Sequence, residues 1–152
     1  MHSQGVVHRD VKPENVVLKN DDVALMVKLA DFGLARFCNG GCYSLVCTPQ
    51  YRAPEIWFQK DATRSKSNSY NELVDTWSAG IVLFTMLAGQ AAFYDDDLEH
   101  QVCTGNFPFE ESFREQPFLD MHQLICCLVV VDPAIRFSSE EARNVTLTSN
   151  YA

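Results

Sequence analysis

The chain has 152 residues, about the size of one domain. Twelve Lys and Arg against 20 Asp and Glu give a formal net charge of −8, which argues against nucleic acid as the main partner. A hydrophobic share of 47% is too high for disorder, and the start "MHSQGVVHRD" has no basic region followed by an apolar run, so no signal peptide is read there.

In chain order, the first feature is a conflict. Two apolar runs, Val6-Val7 and Val16-Val17-Leu18, bracket His8, Arg9, Asp10, Lys12, Glu14 and Asn15, with a proline at Pro13. Core runs usually flank a turn of Gly, Asn or Ser, not a cluster of charge. Val16 to Lys19 and Met26 to Ala30 are short β-rich runs. Asn20, Asp21 and Asp22 favour a turn between them, so a hairpin is expected. Leu34 to Ala53, with Gly40-Gly41 and Pro49, reads as a long irregular loop, and long loops in compact domains are often functional. Lys60 to Asn71 is polar and serine-rich and reads as an exposed insertion.

From Glu72 onward the pattern is helical. Leu73 to Ala88 is one helix, and Asp95 to Thr104, before Gly105, is a second. Phe118 to Val131 is a third, stopped by Pro133. Ser138 to Val145 is a fourth, with Ser138 and Glu141 at capping-box spacing. There are no internal repeats. The expected fold is mainly α with a short β-hairpin.

Thr76 to Tyr94 contains no charged residue and has the length of a membrane span. Ser78, Thr85, Gln90, Gly80 and Gly89 interrupt it, and acidic residues at Asp75 and Asp95 to Asp97 flank it without a Lys or Arg anchor. The preferred reading is a central helix buried on all sides, with no membrane. The six cysteines form no Cys-x-x-Cys pair and have no His at zinc-ligand spacing, so they read as small buried hydrophobes in a reducing compartment. Asn144-Val145-Thr146 fits a glycosylation acceptor, but nothing else reads as secreted.

"HRDVKPEN", then "DFG", then "APE", followed by "DTWSAG" and "DPAIR", resembles the catalytic lobe of eukaryotic protein kinases. The resemblance runs from Ser3 to about Val145. It implies a kinase-like C-terminal lobe at 1–147 with a tail at 148–152. It assigns Asp10 to accept the proton of the substrate hydroxyl, and Lys12 to the γ-phosphate of ATP. It makes Asn15 and Asp31 oxygen ligands for Mg2+, and Val17 part of the floor under adenine. His8 is a tempting base, but the family packs it against the phenylalanine of "DFG", here Phe32. Gly33 is expected at a position needing freedom in φ. Glu55 and Arg136 resemble a family ion pair, and Asp75 resembles the acid that holds the catalytic-loop backbone. All these are scaffold.

Lys12 two residues after Asp10, and Thr48 in "CTPQYRAPE", resemble serine/threonine kinases. That threonine bonds the catalytic aspartate and lysine. "GIVLFTMLAG" and "LVVVDPAIRFSSEEA" resemble the calmodulin-dependent group, especially checkpoint-type and phosphorylase-kinase-like members. Three departures stand out: Cys47 where that group usually has glycine, Arg52 in "YRAPE", and no "HPW"-like ending. Arg9 before Asp10 implies control by phosphorylation of the loop between "DFG" and "APE", either by an upstream kinase or by autophosphorylation. Of the hydroxyls Tyr43, Ser44 and Thr48, Ser44 lies four residues before Thr48, where checkpoint-type relatives carry their activating site.

No Gly-x-Gly-x-x-Gly occurs in the chain. The expectation is therefore a kinase truncated at its N-terminus, with the N-terminal lobe absent. The implied function is phosphoryl transfer from ATP to protein Ser or Thr. The alternative is a non-catalytic, kinase-like module that binds proteins. The implied setting is intracellular, in cytoplasm or nucleus.

Overall fold

The computed structural model describes residues 1–21, 24–38, 40–58, 69–94, 96–105 and 118–145. Among the described residues, four short strands form two separate antiparallel pairs. β1 (Val6–Val7) pairs with β4 (Arg36–Phe37), Val6 opposite Phe37 and Val7 opposite Arg36. β2 (Val16–Asp21) pairs with β3 (Ala24–Leu29), from Val16 opposite Leu29 to Asp21 opposite Ala24. This second pair is the expected hairpin, longer than read at both inner ends. Its tip, 22–23, lies outside the described residues.

Among the described residues, five helices follow. α1 (Pro54–Trp57) starts on a proline, whose missing N–H costs nothing in a first turn. α2 (Leu73–Ala88) has the bounds read from the sequence and ends on Gly89 at φ 66°. α3 spans Leu98–Thr104, α4 Leu119–Leu128 and α5 Ser139–Asn144. The capping box on α5 is complete: the Glu141 N–H donates to Ser138 Oγ, and the Ser138 N–H donates to Glu141 Oε2. Among the described residues, no helix is long and apolar enough to cross a membrane.

Three expectations need correction. Leu34 to Ala53 is not wholly irregular. It contains β4, a 3-10 turn at Pro49–Tyr51 and a bridge between Cys42 and Tyr70. A two-residue strand is too short to show any alternation, so no pattern could announce it. α4 stops at Leu128, three residues early. Beyond it, the Val130 and Val131 carbonyls accept bonds from the Arg136 side chain at 2.8 and 3.3 Å. The cysteines are not all free thiols: Cys38 and Cys42 are joined as a disulfide, with Cα atoms 5.5 Å apart, and Cys126 is exposed. Most of the expected insertion, 59–68, and the tail at 148–152 lie outside the described residues.

The core centres on α2. Trp77, Phe84 and Ile81 are buried on it, and Trp77 stacks on Phe93 with ring centres 6.3 Å apart. Each such side chain contributes about 1.5–3 kcal/mol on burial. Ile56 of α1, Val102 of α3, Ile125 of α4 and Val7 of β1 complete the cluster. α2 approaches the end of α4 closely because Gly80 has no side chain. A Cβ there would lie 2.6 Å from Val129 Cγ2 and 2.9 Å from Leu128 Cβ. Val7, 1% exposed, anchors the chain just before the charged turn.

Candidate active site

The charged turn between β1 and β2 is not a solvated loop. His8, Arg9, Asp10 and Asn15 are 0%, 7%, 6% and 6% exposed. Buried polar groups are costly unless hydrogen-bonded, and these are bonded. Asp75, in the first turn of α2, accepts the His8 N–H at 2.7 Å on one oxygen and the Arg9 N–H at 2.8 Å on the other. His2 Nε2 lies 2.9 Å from the first of these oxygens. Arg9 is thereby held at φ 69°, a region that costs a non-glycine residue roughly 1–3 kcal/mol. Asn15 Nδ2 donates to the Asp10 carbonyl at 2.8 Å and to Asp10 Oδ2 at 3.2 Å. His8 Nε2 lies 3.0 Å from the Ala30 carbonyl, and the His8 ring meets Phe32 edge-on at 4.9 Å.

Asp10, Lys12 and Thr48 form one hydrogen-bonded triangle. Lys12 Nζ lies 2.7 Å from Asp10 Oδ2 and donates to Thr48 Oγ1 at 3.1 Å. Thr48 Oγ1 donates to Asp10 Oδ1 at 2.7 Å, and the Thr48 N–H donates to the same oxygen at 3.1 Å. Burial pushes the Asp10 carboxyl up, but the bonds from Lys12 and Thr48 outweigh it and hold the group below its ordinary value. The bond to Asp10 holds Lys12 above its ordinary value. Both groups are therefore charged at neutral pH.

Asp31 follows β3 at φ 55°, and one of its oxygens, Oδ1, accepts the Gly33 N–H at 3.1 Å. The Ala30 N–H donates to the Asn15 carbonyl at 2.8 Å, which ties the Asp31 turn to the Asn15 turn. Val17, on β2, is 47% exposed and Phe32 is 53% exposed. Gly33 corrects an expectation. It lies inside a 3-10 turn (Phe32–Leu34) without positive φ. Its constraint is space, because a Cβ would lie 3.0 Å from Asp31 Oδ1.

The Arg9 side chain links the turn to the long loop. Its Nε donates to the Leu34 carbonyl at 2.7 Å, and Nη1 donates to Ser44 Oγ at 2.9 Å and to Tyr70 Oη at 3.3 Å. Tyr70 Oη donates to the Ser44 carbonyl at 2.8 Å. Tyr70 belongs to no motif, but it is the only aromatic residue in the polar stretch Lys60 to Asn71, and that contrast was the available signal. Cys47 stands at φ 127°, a conformation suited to glycine. Burial, then the Asp10 charge, pushes its thiol up to about 12. Arg52 Nη2 donates to the Cys47 carbonyl at 3.0 Å, and its guanidinium lies 4.5 Å from the Trp57 ring centre. Farther out, Arg136 grips Glu55 through two bonds of 2.7 and 2.9 Å and lies 5.1 Å from the Trp77 ring centre.

A protein kinase domain model matches residues 1–147. The chain belongs to the protein kinase family. Among similar kinases is the calcium/calmodulin-dependent protein kinase type 1 of Caenorhabditis elegans, 35% identical over 146 residues that cover 93% of this chain and 40% of that protein. Another is the probable serine/threonine-protein kinase fhkC of Dictyostelium discoideum, 33% identical over 156 residues, covering 99% of this chain and 25% of that protein. The serine/threonine-protein kinase CG17528 of Drosophila melanogaster is 35% identical over 148 residues, 93% of this chain and 19% of that protein. The kinase chain thus spans well under half the length of these relatives, and it resembles the calmodulin-dependent group of serine/threonine kinases.

Protein kinases use ATP with magnesium, and the donor set here suits that pair. Asn15 commits its amide nitrogen to Asp10, which leaves its amide oxygen for a cation. Asp31 commits one carboxylate oxygen to Gly33 and keeps the other. Two hard oxygen donors are what magnesium takes from protein when phosphates and waters supply the rest. Among the described residues there is no cluster of three or more His, Cys, Asp or Glu fit to hold a metal alone.

Proposed function

We propose that this chain is the catalytic-loop and activation-segment portion, the C-terminal lobe, of a serine/threonine kinase that transfers the γ-phosphoryl group of ATP to protein Ser or Thr hydroxyls. The observation that carries the reading is the triangle of Asp10, Lys12 and Thr48, with Thr48 Oγ1 2.7 Å from Asp10 Oδ1. A partner-binding scaffold has no chemical need for it.

In this reading Asp10 stays ionised, orients the incoming hydroxyl and takes its proton. Lys12, charged and already beside Asp10, meets the transferring phosphoryl group as a point charge. Magnesium, when bound, would neutralise charge on the β- and γ-phosphate oxygens. Asn15 and Asp31 would hold it through the oxygens left free. Val17, half-exposed on β2, offers an apolar floor to adenine. Thr48 positions Asp10 and lines the place of the substrate residue.

Ser44 is the proposed activating phosphosite, filled by an upstream kinase or by autophosphorylation. Arg9 already contacts its hydroxyl, so a phosphate would meet a guanidinium without a new approach. The proposed setting is the cytoplasm or nucleus. The chain holds no Gly-x-Gly-x-x-Gly, so a lobe carrying that loop would complete the nucleotide site.

The test is phosphate transfer from labelled ATP to serine and threonine peptides by the full-length gene product, wild type against Asp10→Asn. Transfer that Asp10→Asn abolishes is expected. No transfer by either form overturns the enzymatic reading in favour of a non-catalytic, kinase-like binding module.

A further inference from the structure

Beside the long loop lies an open cavity of about 500 Å3. Its wall includes Cys38, Gly40, Gly41, Tyr70, Asn71 and Pro133. Cys38 is half-buried and borders this space, while its disulfide partner Cys42 is 3% exposed. The two residues therefore differ in exposure, and Cys38 is the one that borders the cavity.

The two cysteines are anchored to different elements. The Cys38 N–H donates to the Gly5 carbonyl at 2.9 Å, just after β4. Cys42 exchanges both backbone bonds with Tyr70, at 2.8 and 3.0 Å. Between them Gly40 and Gly41 have φ of 114° and 97°. A Cβ at Gly41 would collide with Ser69, so the loop is pressed onto the segment that carries Tyr70. Tyr70 in turn holds the Ser44 carbonyl and meets Arg9. One covalent bond thus tethers a glycine-bearing loop whose far end fixes Tyr70 and Ser44. Without the bond, the glycines leave the loop much conformational freedom.

We propose that Cys38–Cys42 is a reversible thiol–disulfide exchange site, reached from this cavity by a low-molecular-weight thiol of the glutathione class, and that its state sets how firmly the Tyr70–Ser44 segment is held. The exchange balances in two displacements. A small thiolate attacks Cys38 Sγ, the S–S bond breaks, and Cys42 leaves as a thiolate that takes a proton from water. A second small thiolate attacks the mixed disulfide, releasing Cys38 as a thiolate that is protonated in turn, and the small-molecule disulfide. Two electrons pass from the small thiols to the protein. The oxidised small-molecule disulfide drives the reverse. A reducing compartment is no objection, since a bond made and broken in this way is sensing rather than structural.

The test equilibrates the full-length gene product in buffers of set ratio of reduced to oxidised glutathione. Free thiols are trapped with one alkylating reagent, and the remainder are reduced and trapped with a second. Peptide mass spectrometry then reads each cysteine. Cys38 and Cys42 should titrate together as one two-electron couple while Cys47 keeps a constant label. Amide hydrogen exchange at Cys42 and Tyr70 should quicken on reduction by about tenfold or more, the signature of local opening. Cys38→Ser should exchange at the reduced rate in every buffer. Full trapping of both cysteines by the first reagent in oxidising buffer overturns the proposal. So does exchange that ignores the buffer in the wild type, or that still follows it in Cys38→Ser. Neither readout consumes ATP, so a failure here is distinct from a failure of the transferase reading.

Discussion

The Arg9 guanidinium donates to the Ser44 hydroxyl at 2.9 Å although the residues stand 35 positions apart. A phosphate on Ser44 would replace one neutral acceptor with oxygens carrying about −1.5 to −2 charges. In the full-length kinase, Ser44→Ala or Arg9→Ala should lower activity about tenfold or more, the scale of one or two charge-assisted bonds. Phosphopeptide mapping with activity assays checks this. Full activity of Ser44→Ala with no phosphate at Ser44 would place the switch elsewhere.

Thr48 bears on pH dependence. The folded carboxyl of Asp10 lies below the ordinary value of 3.8, partly through bonds from Thr48. A depressed carboxylate adds stability that is present above the unfolded value and lost as pH falls through the folded one. Thr48→Val removes the side-chain bond and raises the folded value. The acid limb of kcat/KM should move to higher pH, and the acid tolerance of folding should shrink. An unmoved acid limb would show that the threonine hydroxyl does not tune Asp10.

Cys47 at φ 127° is strained, because only glycine adopts that region freely. Cys47→Gly should release roughly 1–3 kcal/mol of strain against about 0.5–1 kcal/mol of added chain entropy. A net gain of about 1 kcal/mol is expected in denaturant titration. A loss would mean that the half-buried thiol contributes more packing than its backbone costs.

Gly80 is the contact point of α2 with the end of α4. Gly80→Ala gains about 1 kcal/mol in helix propensity but forces Val129 and Leu128 aside, at about 1–3 kcal/mol. A net destabilisation of about 1 kcal/mol is expected by thermal melting, and an unchanged melt would show that the α4 end yields freely.

Arg136 is buried, with its Nη atoms on Glu55 and further donors on the Leu73, Val130 and Val131 carbonyls. Arg136→Leu leaves the Glu55 carboxylate and those carbonyls without it, at a cost of about 3–5 kcal/mol. Arg136→Lys keeps the charge but not the fork, so it should recover only part of the loss. Equal stability of the lysine variant and wild type would show that charge alone suffices.

The parts legible in sequence are those with long periods or dense motifs. α2 shows over 16 residues, and the hairpin shows because turn-formers separate two β-rich runs. "HRDVKPEN" and "DFG" marked Asp10, Asn15 and Asp31 as candidates, and the ring contact of His8 with Phe32 is where the resemblance set it. The β1–β4 pairing was illegible because two residues carry no alternation. The disulfide was illegible because cysteines four positions apart can be bridged or not, depending on a backbone path set by Gly40 and Gly41. Tyr70 was illegible because its role depends on where residues 42 and 44 go, not on its neighbours in sequence.

Two contacts tie early residues to late ones: Arg136 meets Glu55 across 81 positions, and His2 lies 3.1 Å from Ser139 across 137. Synthesis proceeds from the N-terminus at about 5–20 residues per second. The charged turn at 8–15 therefore leaves the ribosome several seconds or more before its distant braces exist. Until α2 emerges, even Asp75 is missing, and buried-to-be His8, Arg9 and Asp10 face water. Contacts so remote in sequence also slow folding of the finished chain. A nascent chain paused short of residue 136 would be an open substrate for proteases and holding chaperones.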